Sequence, residues 1–149
     1  MITALLLIAA VFLVAFGGLM AAIDAAFGVT SRHDITEMAL DDRKAKALSR
    51  IAADLDAHVN AISFIRVLAE TTAAVLVTVA FTAIFESIWW GMLAAAVLMT
   101  GITFVHVGAS PRSFGRQHAD VMIRGCASII RSLRVILGPL AQGLVVLGN

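Results

Sequence analysis

The sequence predicts an all-α membrane protein: three transmembrane helices, a juxtamembrane helical hairpin and an amphipathic interfacial helix, in one domain spanning 1–149. Three observations predict it. First, 60% of the 149 residues are hydrophobic, 14% are charged, and the mean hydropathy is +0.96. A soluble domain of this length has no core able to hide so much apolar surface. Second, apolar stretches at about 2–27, 58–85 and 88–108 each meet the roughly 20 residues that a bilayer span needs. Third, lysine and arginine gather in two segments, 29–57 and 112–134, with five in each, while the amino terminus and the loop at Glu86 hold none.

The first span carries no charge from Met1 to Ile23. It lacks a basic n-region, and its apolar run is too long for a signal peptide, so it reads as a retained helix. Small residues recur every fourth place, at Gly17, Ala21 and Ala25 and at Gly18, Ala22 and Ala26. Such stripes allow close backbone approach in lipid, though an alanine-rich helix would show them as well. The hairpin, 29–57, mixes Arg32, Arg43, Lys44, Lys46 and Arg50 with six carboxylates. Ile35, Met38, Leu40, Leu48, Ile51 and Leu55 recur in it at helical spacing.

The second span ends at Glu86, Ser87, Ile88, Trp89 and Trp90, where paired tryptophans beside a polar turn read as an interfacial anchor. The third span runs to a break at Pro111. Beyond it, an interfacial helix over 113–137 places Arg116, Asp120, Arg124, Arg131 and Arg134 on one arc. Met122, Cys126, Ile129, Ile130, Leu133, Ile136 and Leu137 fall opposite. Its basic face suits an anionic leaflet. The two basic segments, read by the positive-inside rule, put the amino terminus outside and the carboxyl terminus in the cytoplasm, in the plasma membrane.

Several function classes drop out. The lone Cys126 excludes an internal disulfide and reads as an apolar filler. His33, His58, His106 and His118 have no metal-ligand spacing. His106, near the inner end of the third span, reads either as a proton carrier or as a histidine bonded to a neighbouring backbone. There is no nucleophile–base–orienter set, no phosphate loop and no nucleic-acid signature, so no catalytic residue is expected, and neither is an enzyme or a nucleic-acid partner. The expected partner is the lipid bilayer.

Arg66 and Glu70, four residues apart in the second span, stand out. An unpaired arginine at a helix centre costs ~2.5–3.5 kcal/mol on insertion scales. Two readings follow. In one, Arg66, Glu70 and Asp24 of the first span form an intramembrane polar cluster. In the other, Arg66 snorkels to the interface over the roughly 12 Å that separate it from His58.

The order of parts resembles the transmembrane domain of the CNNM/CorC family of magnesium transporters over nearly the whole chain. Asp24-Ala25-Ala26-Phe27 followed by Ser31-Arg32 is similar to the family's first-span ending. Asp54-Leu55-Asp56 is similar to the Asp-Pro-Asp that opens the second span. Pro111-Arg112 with Arg116 resembles the Pro-Lys-x-x-x-Arg after the third. His118-Ala119-Asp120 and Gly138-Pro139-Leu140 stand where Asn-Pro-Glu and x-Pro-Leu are common. The resemblance implies Mg2+ as the ion, a dimer as the assembly, and tandem cytosolic CBS domains continuing from about Asn149.

The resemblance also implies a cation cage of oxygens from all three spans, and this sequence departs from it. Ala21 and Ile23 replace serines, Ile65-Arg66 replaces a Gly-Asn pair, Glu70 replaces an asparagine, and Gly108 replaces the third-span glutamate. The degenerate positions are therefore Ala21, Arg66 and Gly108, and Asp24 and Glu70 remain as metal candidates. Magnesium wants about six oxygens, and a guanidinium at the ligand position repels it. Two functions stay open: a Mg2+-transport membrane domain with a rearranged site, or a non-transporting scaffold or regulatory subunit that dimerises with itself or with an intact relative.

Overall fold

The computed structural model describes residues 1–40, 43–108 and 110–148, with the backbone alone for 106–108, 110, 138–142 and 144–148. They form seven α-helices and no strand: α1 (Ile2–Phe27), α2 (Arg32–Met38), α3 (Ala45–Ala53), α4 (Leu55–Phe85), α5 (Ile88–Gly108), α6 (Ser110–Gln117) and α7 (Ala119–Gly148). Three stretches are long and apolar enough to cross a membrane: Ile2–Phe27, Leu55–Phe85 and Ile88–Val105.

Helix α1 packs mainly on α4 and α6. Its small residues explain how. Gly17, Gly18, Ala21, Ala22 and Ala26 are all buried, and the absence of bulk there lets neighbouring backbones close in. At the end of the helix the Thr30 hydroxyl donates to the Ala26 carbonyl at 2.8 Å, which satisfies an acceptor that the last turn leaves open.

The hairpin forms as α2 and α3. Ser31 and Asp34 make a reciprocal capping box that starts α2: Asp34 N–H donates to Ser31 Oγ at 3.2 Å and Ser31 N–H to Asp34 Oδ2 at 2.7 Å. Both orphan donors at that end are thereby satisfied. Leu48 and Ile51 of α3 are fully buried. Asp54 joins α3 to α4, and its carbonyl accepts a hydrogen bond from His58 Nδ1 at 2.6 Å.

The turn from α4 to α5 is tight. Glu86 sits in the left-handed region at φ 51, which costs an L-residue energy. A Cβ on Gly91 would lie 2.6 Å from Thr82 Cα, so glycine is needed for α5 to fold back on α4. Trp89 and Trp90 are 81% and 65% exposed, as an interfacial anchor requires.

The single interfacial helix expected over 113–137 is two helices. They meet at His118, and the second continues through Pro139 to Gly148. The divided helix faces two partners: α6 lies against α1, whereas α7 packs against α4, α1 and α3. Ile129 and Ile136, expected on the apolar face, are 47% and 69% exposed; the buried stripe is Ile123, Ala127 and Ile130, flanked by Met122, Cys126 and Leu133. The buried stripe is the face that α4, α1 and α3 cover together.

The packing is uneven along the bundle. The larger core gathers the second half of α1, the hairpin, the first turns of α4, and α7, around Met20, Ile23, Ile35, Leu48, Ile51, Ile62, Ile123 and Ile130. A thin cluster of Ala10, Ala73, Val77, Ala95 and Met99 holds the opposite half. There, large side chains such as Leu5, Val11, Phe12, Val75 and Leu93 point outward. In water that surface would be untenable; against acyl chains it is matched.

Candidate functional site

The expected site residues of the first two spans lie on α1 and α4, which pack on each other. Ala21 and Ile23 are buried at 1% and 0% exposure, and Ile65 at 4%. These positions supply methyl and butyl surface where the resemblance implies serine and amide oxygens. The Asp24 carboxylate is half-buried and accepts a hydrogen bond from Ser63 Oγ at 3.1 Å. Ser63 lies three residues before Arg66 on α4, and spacing alone did not identify it as the partner of Asp24.

Glu70 also faces α1. A Cβ built on Gly17 would lie 3.3 Å from Glu70 Cγ, so the glutamate passes across the first span where that helix has no side chain. Arg66 is half-buried, and its Nε is buried with no hydrogen-bond partner. Among the described residues Asp120 pairs with Arg124 and Asp54 with Arg134. Asp24 and Glu70 thus approach α1 and α4 at two levels, separated by seven residues of α1 from Gly17 to Asp24. The side chain of His106 lies outside the described residues, and Gly108 is described only as the last residue of α5.

Among the described residues no group of three or more His, Cys, Asp or Glu could hold a metal. Arg66 stands on α4 between Ser63, the partner of Asp24, and Glu70, which lies against Gly17.

The basic residues after the third span have roles that the sequence did not disclose. Arg124 donates to Asp120 Oδ1 at 2.8 Å and to the Met38 carbonyl at 3.2 Å. Lys44 Nζ reaches back from the hairpin to the Arg124 and Gly125 carbonyls, at 3.1 and 2.7 Å. Arg134 meets Asp54 at 3.3 Å. Much of the basic arc is therefore spent on clamping α7 to the hairpin. Arg112 and Arg116 of α6 line a cavity with Asp24, Ala25, Gly28 and Val29 of the first span and its end. Pro111, expected to break the helix, lies in the first turn of α6, where proline is tolerated.

Fold and site together define a three-span helical membrane domain with a helical hairpin at one end. The chain matches the family described as Cyclin M transmembrane N-terminal domain over residues 8–149, and it belongs to that CNNM family. It is also 37% identical over 144 residues to the UPF0053 protein Mb2387c of Mycobacterium bovis and to the UPF0053 protein Rv2366c of Mycobacterium tuberculosis. In each case the match covers 96% of this chain and 33% of the relative, so the chain spans about a third of the length of these relatives.

Proposed function

We propose that this chain is the membrane domain of a magnesium-transport-family protein in which Arg66 has taken the place of the ion, leaving a membrane scaffold that pairs with a second copy or with an intact relative. One observation carries this reading: the buried, unpartnered Nε of Arg66 at a position where the family resemblance implies an oxygen ligand. A scaffold needs packing surfaces rather than a cage, and the outward apolar side chains of the first half of α1, among them Leu5, Ile8, Val11 and Phe12, supply one. No enzymatic step enters this reading.

The orientation goes with it. The hairpin and α7 are joined at one end of the bundle by Lys44, Arg124 and Arg134. Both basic segments thus share a side, which supports an outside amino terminus and a cytoplasmic carboxyl terminus in the plasma membrane.

The second reading is Mg2+ transport through a rearranged site. It is favoured by Asp24 and Glu70, which both lie along α1. Calorimetry of Mg2+ on the full chain in nanodiscs separates the two. The scaffold reading expects no saturable binding up to millimolar ion, and Arg66→Asn to be needed before any appears. Saturable binding by the unaltered chain that Glu70→Gln abolishes would establish the transport reading.

A further inference from the structure

Two empty spaces lie along one side of α1. The first is a cavity of about 240 Å³ lined by Asp24, Ala25, Gly28, Val29, Arg112 and Arg116. Its two arginines are one helical turn apart on α6 and flank Gly115. That glycine is held against α1: a Cβ on it would fall 2.0 Å from the Ala22 carbonyl oxygen. The arginines are therefore positioned by rigid backbone. Arg112 Nε is buried and lacks a hydrogen-bond partner. Among the described residues neither arginine is ion-paired with Asp24, whose Oδ1 is engaged by Ser63. Two guanidinium groups and one carboxylate leave the cavity with a single net positive charge.

The second space is an apolar groove of about 650 Å³ between α1 and α5, lined by Val14, Val97, Leu98, Gly101, Ile102 and Val105. Val14 and Ala25 are eleven residues apart, which is three turns and about 20° of helix. Groove and cavity therefore lie on the same side of α1, roughly 16 Å apart along it. Helix α5 runs from Val97 towards Gly108, and α6, which carries Arg112 and Arg116, follows it in the chain.

We propose that cavity and groove together bind an anionic glycerophospholipid such as phosphatidylglycerol. The phosphodiester sits on Arg112 and Arg116, a headgroup hydroxyl donates to Asp24, and an acyl chain lies in the α1–α5 groove. Guanidinium groups bind phosphate oxygens with charge-assisted, planar hydrogen bonds, and a phosphodiester carries the one negative charge that the cavity lacks. A free phosphate would satisfy the arginines and leave the apolar groove unused; the groove is what selects lipid. This site does not depend on whether the chain carries an ion.

Native mass spectrometry of the full chain released from nanodiscs of equal phosphatidylglycerol and phosphatidylcholine tests this. Retention of phosphatidylglycerol over phosphatidylcholine is expected. Arg116→Gln, at an exposed position, should weaken it about tenfold, the loss of one charge-assisted bond. Gly101→Leu should also weaken it, because a Cβ there meets nothing within 4 Å and the new side chain fills the groove without disturbing the fold. Gly125→Leu, in open space on α7, should leave it unchanged. Equal retention of the two lipids, or indifference to Arg116→Gln, would overturn the proposal. So would displacement by inorganic phosphate together with indifference to Gly101→Leu, which would mark a soluble-phosphate site instead.

Discussion

Gly115 of α6 rests directly on Ala22 of α1, so closely that a Cβ on the glycine would lie 2.0 Å from the alanine's carbonyl oxygen and 2.9 Å from its Cα. Helical backbone on both sides leaves nothing to swing aside. The contact fixes where the chain goes after the third span, and hence where Arg112 and Arg116 point. Gly115→Ala should cost about 1–3 kcal/mol, the usual range for overpacking. The check is the thermal midpoint of the purified protein in detergent. Gly125→Ala, with no neighbour to strike, should hold or slightly raise that midpoint.

Lys44 secures the hairpin by donating to the carbonyls of Arg124 and Gly125 on α7. Replacing it with methionine keeps the apolar stem and removes the donors. Hydrogen exchange across α3 should rise, with a stability loss of about 1.5–3 kcal/mol for bonds made by a charged group. Asp54→Asn, at a carboxylate 57% exposed in its pair with Arg134, should cost no more than about 1 kcal/mol. Equal effects from the two variants would show that the hairpin is held in some other way.

The capping box of α2 makes one end of the hairpin acid-sensitive. The Ser31 hydroxyl, and after it the Ser31 backbone N–H, hold the Asp34 carboxyl below its ordinary value, against a small opposing effect of burial. A carboxyl lowered in the folded state contributes stability that is present above its unfolded pKa and is lost as pH falls through the folded value. Exchange of the α2 amides should therefore accelerate below about pH 4. Ser31→Ala, which removes the hydroxyl, should flatten that dependence.

Glu86 takes the left-handed conformation at the turn between α4 and α5. Glycine adopts it without the Cβ penalty of roughly 1–2 kcal/mol. Glu86→Gly should raise the thermal midpoint in detergent, less the extra chain entropy that glycine brings to the unfolded state. A lower midpoint would mean that the Glu86 side chain contributes more than the backbone strain costs.

Much of the architecture was legible because bilayer length and charge placement are one-dimensional signals. The three spans, the hairpin and the Trp89–Trp90 anchor follow from runs of apolar residues and from where arginine and lysine fall. The division of the interfacial helix at His118 was not legible. It depends on α6 pressing Gly115 onto α1 while α7 turns its stripe to α4, α1 and the hairpin, and a helical wheel drawn over 113–137 contains none of these partners.

The candidate site divides in the same way. The sequence by itself determined that a guanidinium and two carboxylates enter the membrane domain and that the chain is built for lipid; that Ala21 and Arg66 stand where serine and amide oxygens are expected is what the family resemblance implies. Those properties are chemical and travel with the residues. Only the tertiary structure decided the pairings: Asp24 with Ser63, Glu70 across Gly17, Arg124 and Lys44 between hairpin and α7, and Arg112 with Arg116 beside Asp24. Each depends on which faces of two helices meet, and the small residues that set those distances bring helices together without naming what will lie opposite.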